Sequence, residues 1–132
     1  MFIKLLGAAA MAAVAYAAVP ANAASGGCSG PNLTKTESMV EAMPECGRAY
    51  SLRGIFHAHL GRGQEAIGDF TKSLELAPGD DRTNVALLRV LLDTQNSNRA
   101  GQTCDQWIAA APQSNDAYRW RGLVRLRQKQ YR

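Results

Sequence analysis

The side chains best able to do chemistry in this sequence are two histidines, His57 and His59, and three cysteines, Cys28, Cys46 and Cys104. Two imidazoles could share a metal ion. Two residues apart on a helix, however, they diverge by about 200° and sit on different faces. Cys46 beside either histidine would make a nucleophile and base. That chemistry also needs a group to orient the base and donors to hold an oxyanion, and the sequence offers neither. It also lacks the C-x-x-C-H, H-E-x-x-H and phosphate-cradling glycine patterns. No catalytic residue, no cofactor and no metal site is therefore expected. The odd cysteine count permits at most one internal disulfide and leaves one thiol over.

The bulk numbers constrain little else. A length of 132 residues sets a prior of one domain. Fifteen basic against eleven acidic residues give a net charge of +4, a mild excess that says little about partners. Its distribution says more, because Arg119, Arg121, Arg125, Arg127, Lys129 and Arg132 crowd the end of the chain with no acid among them. An acidic partner or a membrane surface would suit such an end. The plainer expectation is a helix whose cationic face is solvated.

The opening reads as an address. Lys4 supplies one positive charge, Leu5 to Val19 carries none, and Pro20 ends the run before Ala21 and Ala23, an A-x-A site. That is the three-part pattern of a secretory signal, and the run is shorter than the ~20 residues of a membrane-spanning helix. Cys28 lacks the upstream leucine of a lipid-attachment site. Residues 1–23 are thus expected to be a cleaved leader and 24–32 a glycine-rich linker. The protein is expected to be periplasmic or secreted, where disulfides persist. No nucleic acid is expected as a partner, and no membrane contact after cleavage.

The elements that position the rest follow from a repeat. Pro44, Pro78 and Pro112 are spaced by 34, as are Ala66 and Ala100. Tyr50 and Arg53-Gly54 recur 68 residues on as Tyr118 and Arg121-Gly122. The clearest unit, 47–80, has two apolar stripes at helical spacing: Ala49, Leu52, Phe56 and Leu60, then Ala66, Ile67, Phe70, Leu74 and Leu76. Gly61-Arg62-Gly63 separates them and Pro78 ends the second. This predicts an antiparallel helical hairpin. A second unit, 81–114, follows the same plan, with Gln95 to Arg99 as its turn. A third, 115–132, holds a first helix only. Ahead of them, 33–46 is expected to be a cap helix that begins with a Thr34–Glu37 capping box and covers the first hairpin. Cys28 and Cys46 flank this cap. A bridge between them would close a 19-residue loop and contribute ~3 kcal/mol in the chain-entropy model. The alternative is two unpaired thiols.

Tyr50, Gly54, Ala66, Phe70 and Pro78 together resemble the signature of the tetratricopeptide repeat family, across residues 47–132. Arg53 stands where that family usually has an apolar residue. In the second unit Asn84 replaces the aromatic and Leu88 the glycine. The resemblance implies an all-α solenoid of about two and a half helical hairpins, with Tyr50, Gly54, Ala66, Phe70, Pro78, Ala100, Pro112, Tyr118 and Gly122 as packing positions. It makes His57 a packing residue and Cys104 a small inward hydrophobe. It further implies a scaffold that takes a protein or peptide partner in a groove, here expected at Ser51, Ile55, Ala86, Asp116 and Trp120. None of these is basic or asparagine, so the clamp some members use for a chain-terminal carboxylate is not expected. The alternative is a structural subunit of an envelope or secretion assembly, docked through its incomplete carboxy-terminal repeat; self-association through the carboxy-terminal helix is a separate expectation.

Overall fold

The computed structural model describes residues 33–130. The leader, the linker and Cys28 lie outside the described residues. Six helices follow one another: α1 Leu33–Ala42, α2 Gly47–His59, α3 Gly63–Leu76, α4 Asp81–Asp93, α5 Ser97–Ala110 and α6 Asn115–Gln130. Helices α2 and α3 form one hairpin, α4 and α5 the next, and α6 begins a third. Each packs on its neighbour in sequence, and α4 also touches α2 and α6. Among the described residues the protein is all-α, a solenoid of helical hairpins with no helix long and apolar enough to cross a membrane.

Both hairpin turns are built alike. The Arg62 N–H donates to the His57 carbonyl at 2.9 Å and the Gly61 N–H to Ala58 at 3.1 Å. One period later the Asn96 N–H donates to Leu91 at 2.7 Å and the Gln95 N–H to Leu92 at 3.2 Å. These are paired Schellman closures, in which a residue in the left-handed region satisfies the last carbonyls of a helix. Gly61 has φ 73° and Gln95 φ 59°. Only the first is a glycine, so the second carries a side chain where L-residues are disfavoured. The second turn is shorter than the sequence suggests. Helix α5 begins at Ser97, so Ser97, Asn98 and Arg99 are already helical. A similar correction applies to α1. It begins at Leu33, which places Thr34 inside the first turn and not before it.

The core shows how one backbone period accommodates two different side-chain sets. An added Cβ at Gly54 would lie 2.8 Å from the Phe70 ring and 3.2 Å from Asp69 Cβ, so α2 and α3 cross too closely there for any side chain. The equivalent positions in the second hairpin hold Leu88 and Cys104, both fully buried. A glycine and a phenylalanine have become a leucine and a cysteine, a similar summed side-chain volume in a hairpin whose two helices approach each other less closely. Ala66 and Ala100 are both fully buried at another equivalent pair. Burial pushes the Cys104 thiol up to about 11, with Asp105 adding to the effect and Arg121 opposing it. The thiol is therefore neutral and behaves as a hydrophobe. A smaller cluster of Met39, Val40, Cys46 and Ala49 joins α1 to α2.

Polar side chains tie the second hairpin together. Asp80 caps α4 by accepting the Thr83 N–H at 3.2 Å. Asn84, buried where an aromatic was expected, donates to the Pro78 and Asp80 carbonyls at 3.1 and 3.0 Å. It thus fastens the turn between the hairpins. The fully buried Trp107 donates its indole N–H to Asp81 at 2.9 Å.

Two expectations follow. Gly54→Leu should destabilise the protein by about 3 kcal/mol, since a forced side chain at a close crossing overpacks it. Phe70→Cys should cost a similar amount through its cavity. The double variant rebuilds the pair of the second hairpin, so its loss in urea denaturation should fall short of the sum of the two single losses by ~1 kcal/mol or more. Gln95→Gly should raise stability by ~0.5–1 kcal/mol through release of the left-handed strain, measured as a higher melting temperature.

Candidate functional site

The repeat period turns single residues into rows on the first helices. Ser51, Val85 and Arg119 are 34 apart, as are Ile55, Arg89 and Leu123. Where α4 meets α6, these rows border a cleft of about 440 Å³ lined by Val85, Arg89, Asp116, Arg119, Trp120 and Leu123. Leu123 is 44% exposed, and Trp120 is half-buried, packed on the core with its remaining surface in the cleft. Arg89 is exposed. Arg119 meets Asp116 at 3.3 Å in a solvent-exposed pair of consecutive helical turns, a contact weak enough to be exchanged. Such a cleft can take an apolar side chain against Trp120 and Leu123, and a carboxylate against either guanidinium.

The expected groove residues fare differently. Asp116 and Trp120 line the cleft, and Ile55 is exposed on α2. Ser51 is half-buried and shares a 2.9 Å hydroxyl–hydroxyl bond with the buried Thr83, so it joins α2 to α4. Ala86 packs against the core without lining the cleft, whereas Val85, which also packs against the core, and the exposed Arg89 line it. The cleft thus includes Arg89 and Arg119, which the expected groove did not. Stepping from Ser51 and Ile55 by 34 would have found Val85, Arg89, Arg119 and Leu123. Ala86 stands one residue past that row.

A second polar cluster lies inside the first hairpin. Arg53 donates from Nε and Nη2 to both oxygens of the nearly buried Asp69, at 2.9 and 2.7 Å. The Asp69 hydrogen bond raises the Arg53 pKa above its ordinary value. His57 Nε2 stands 3.7 Å from the same carboxylate, and its buried Nδ1 has no hydrogen-bond partner among the described residues. His59 is exposed, so the two imidazoles diverge. Arg53 also lies 5.7 Å over the Tyr50 ring. The arginine that departs from the family pattern thus bonds across the hairpin.

Other expected packing positions divide. Tyr50 is half-buried, while Gly54, Ala66, Phe70 and Ala100 are buried. Pro78 and Pro112 are exposed just beyond helix ends. Tyr118 is 45% exposed and a Cβ at Gly122 would meet nothing within 4 Å. Neither packs as its equivalent does on α2, because among the described residues no helix lies over that side of α6. Residues 57–124, two full periods of 34, match the family model for tetratricopeptide repeats. Period, hairpin geometry and match agree over more than half of the sequence: the chain belongs to the tetratricopeptide repeat family, a non-catalytic helical module generally used to bind other proteins.

Proposed function

We propose that this protein is an exported interaction module that holds a protein or peptide partner in the cleft between α4 and α6. The observation that carries the reading is the juxtaposition of exposed Leu123 and half-buried Trp120 with Arg89 and Arg119 in one cleft. A solvated surface of a single chemistry would give neither anchoring nor orientation, whereas an aromatic anchor beside guanidinium groups gives both. The partner segment expected is short, with an apolar side chain flanked by carboxylates. An outer cleft between α3 and α5 is rimmed by Glu75, Arg99, Gln102 and Gln106, and its floor residues Leu87 and Trp107 are already satisfied in the core.

Export rests on the leader pattern of residues 1–23, and the disulfide on export and on Cys46, which is buried at the start of α2. A Cys28–Cys46 bridge would anchor the linker to the first hairpin, while Cys104 is the free cysteine of the described residues.

Amino-terminal sequencing of exported material should read from Ala24. Thiol labelling of that material, denatured without reduction, should modify Cys104 alone. Retained Met1, or three labelled thiols, would remove export or the bridge respectively. For the cleft, Arg89→Glu with Arg119→Glu should leave the melting temperature within a degree or two, because both residues are exposed. The same change should weaken capture of an acidic peptide by at least ~tenfold through charge repulsion. Trp120 fluorescence provides the readout, since Trp107 is fully buried. Equal affinity in the variant would place binding elsewhere.

A further inference from the structure

The outer cleft between α3 and α5 has a volume of about 440 Å³ and lies over α4. Positions one period apart show why it is open. On α2, Tyr50 packs against the Met39 and Val40 cluster of α1. Arg53 is held by both oxygens of Asp69 on α3, with Glu37 of α1 nearby. The equivalents on α4 are Asn84 and Leu87. Asn84 folds back onto the Pro78 and Asp80 carbonyls, and Leu87 is buried in the core. Neither side chain joins α3 to α5. The two helices are joined at one end, where Arg99 donates to Thr71 Oγ1 at 3.4 Å. One wall of the cleft is a row of polar side chains on α5. Arg99, Gln102 and Gln106 all line it and all are exposed. Among the described residues the amides of Gln102 and Gln106 make no hydrogen bond, and Arg99 has no carboxylate partner.

We propose that this outer cleft binds an extended segment of a partner protein, and that Gln102 and Gln106 hold the segment by its backbone. A primary amide carries a donor and an acceptor side by side. One residue of an extended chain presents the complementary pair along one edge. Gln102 and Gln106 are one helical turn apart, about 6 Å along the axis. Alternate residues of an extended chain are about 6.6–6.8 Å apart. The two amides therefore match residues i and i+2 on one edge of the segment. Leu87 and Trp107 below are already buried, at 4% and 0% exposure, so little apolar surface is left to gain and the hydrogen bonds dominate. Arg99 takes a carboxylate at one end of the segment. Glu75, the one acid lining the cleft, stands on the facing wall and is paired with Lys72 at 3.3 Å. It disfavours a second carboxylate beside it, so the segment carries one acid. The site shares no lining residue with the cleft between α4 and α6.

The probes are two capped peptides, Asp-Thr-Val-Thr-Ser and Ser-Thr-Val-Thr-Asp, which place one acid at opposite ends of a chain that favours the extended state. Each is titrated into the full chain, labelled with nitrogen-15, and the side-chain amide signals of Gln102 and Gln106 are followed by NMR. Both signals should shift saturably, and the tighter peptide gives the direction of the bound segment. Gln106→Leu should weaken that peptide by about fivefold, the effect of a lost neutral hydrogen bond. It should leave the melting temperature unchanged, because Gln106 is exposed and bonded to nothing. Arg99→Gln should weaken it by about tenfold, as expected for a charge-assisted bond. Methylation of the two threonine nitrogens of the peptide removes backbone donors and spares every side chain, and it should abolish binding. Arg89→Glu should leave binding intact. Absence of any shift would overturn the proposal. So would binding that survives the methylated backbone, which would give recognition to side chains, or binding lost in Arg89→Glu, which would move the peptide to the other cleft. Self-association that Gln106→Leu abolishes would assign the site to a second copy of this chain, and contacts from residues 24–32 to Gln102 in the free protein would assign it to the chain's own linker. Either result would overturn its assignment to a separate partner.

Discussion

The close crossing of paired helices is the constraint on which the rest of this structure depends. At Gly54 the backbone of α2 comes so near α3 that the Phe70 ring takes the place of a side chain. Interiors are packed at close to crystal density, so the distance between two helices fixes the summed volume of the residues between them. The second hairpin fills the corresponding place with Leu88 and Cys104, and its two helices approach each other less closely. What the period preserves is therefore the order and pairing of the helices, while the closeness of each crossing follows from the side chains at it. The two Schellman closures serve the same end. They turn the chain within three residues, so that the second helix returns at the required angle and register.

Charge inside the first hairpin follows from that packing. Arg53 occupies a position that in this family is usually apolar, and its guanidinium would be costly to bury without a partner. Asp69 supplies one with both oxygens, and Tyr50 covers the flat side of the guanidinium. Replacing such a pair with packed apolar groups is often neutral or stabilising, so its value lies in fixing which helix face meets which. The same Tyr, Arg and Gly recur on α6, where Arg121 meets Asp105 of α5 at 3.7 Å.

The cleft proposed to bind a partner arises from stacking more than from any single motif. One helix offers an arginine or a leucine every few residues, and only the juxtaposition of α4 and α6 collects Val85, Arg89, Arg119 and Leu123 around Trp120. The family's modules generally bind other proteins. The chemistry of the row decides what is bound.

The number of hairpins, their boundaries to within a few residues and the inward set Ala66, Phe70, Ala100 and Cys104 were legible in the sequence. Prolines and alanines at a fixed interval report local backbone constraints, namely where a helix must stop and where two helices must touch, and such constraints are written one residue at a time. Tertiary structure alone decided what depends on distance between positions far apart in the chain. It paired Arg53 with Asp69, set Asn84 to fasten a turn in place of an aromatic, and put Arg89 rather than Ala86 at the cleft. A helical period places a residue on a face only to within about 100°, and neighbouring faces differ in whether they meet the core, the next hairpin or water. Only the packed arrangement of helices resolves that angle, and with it which side chains are left to bind.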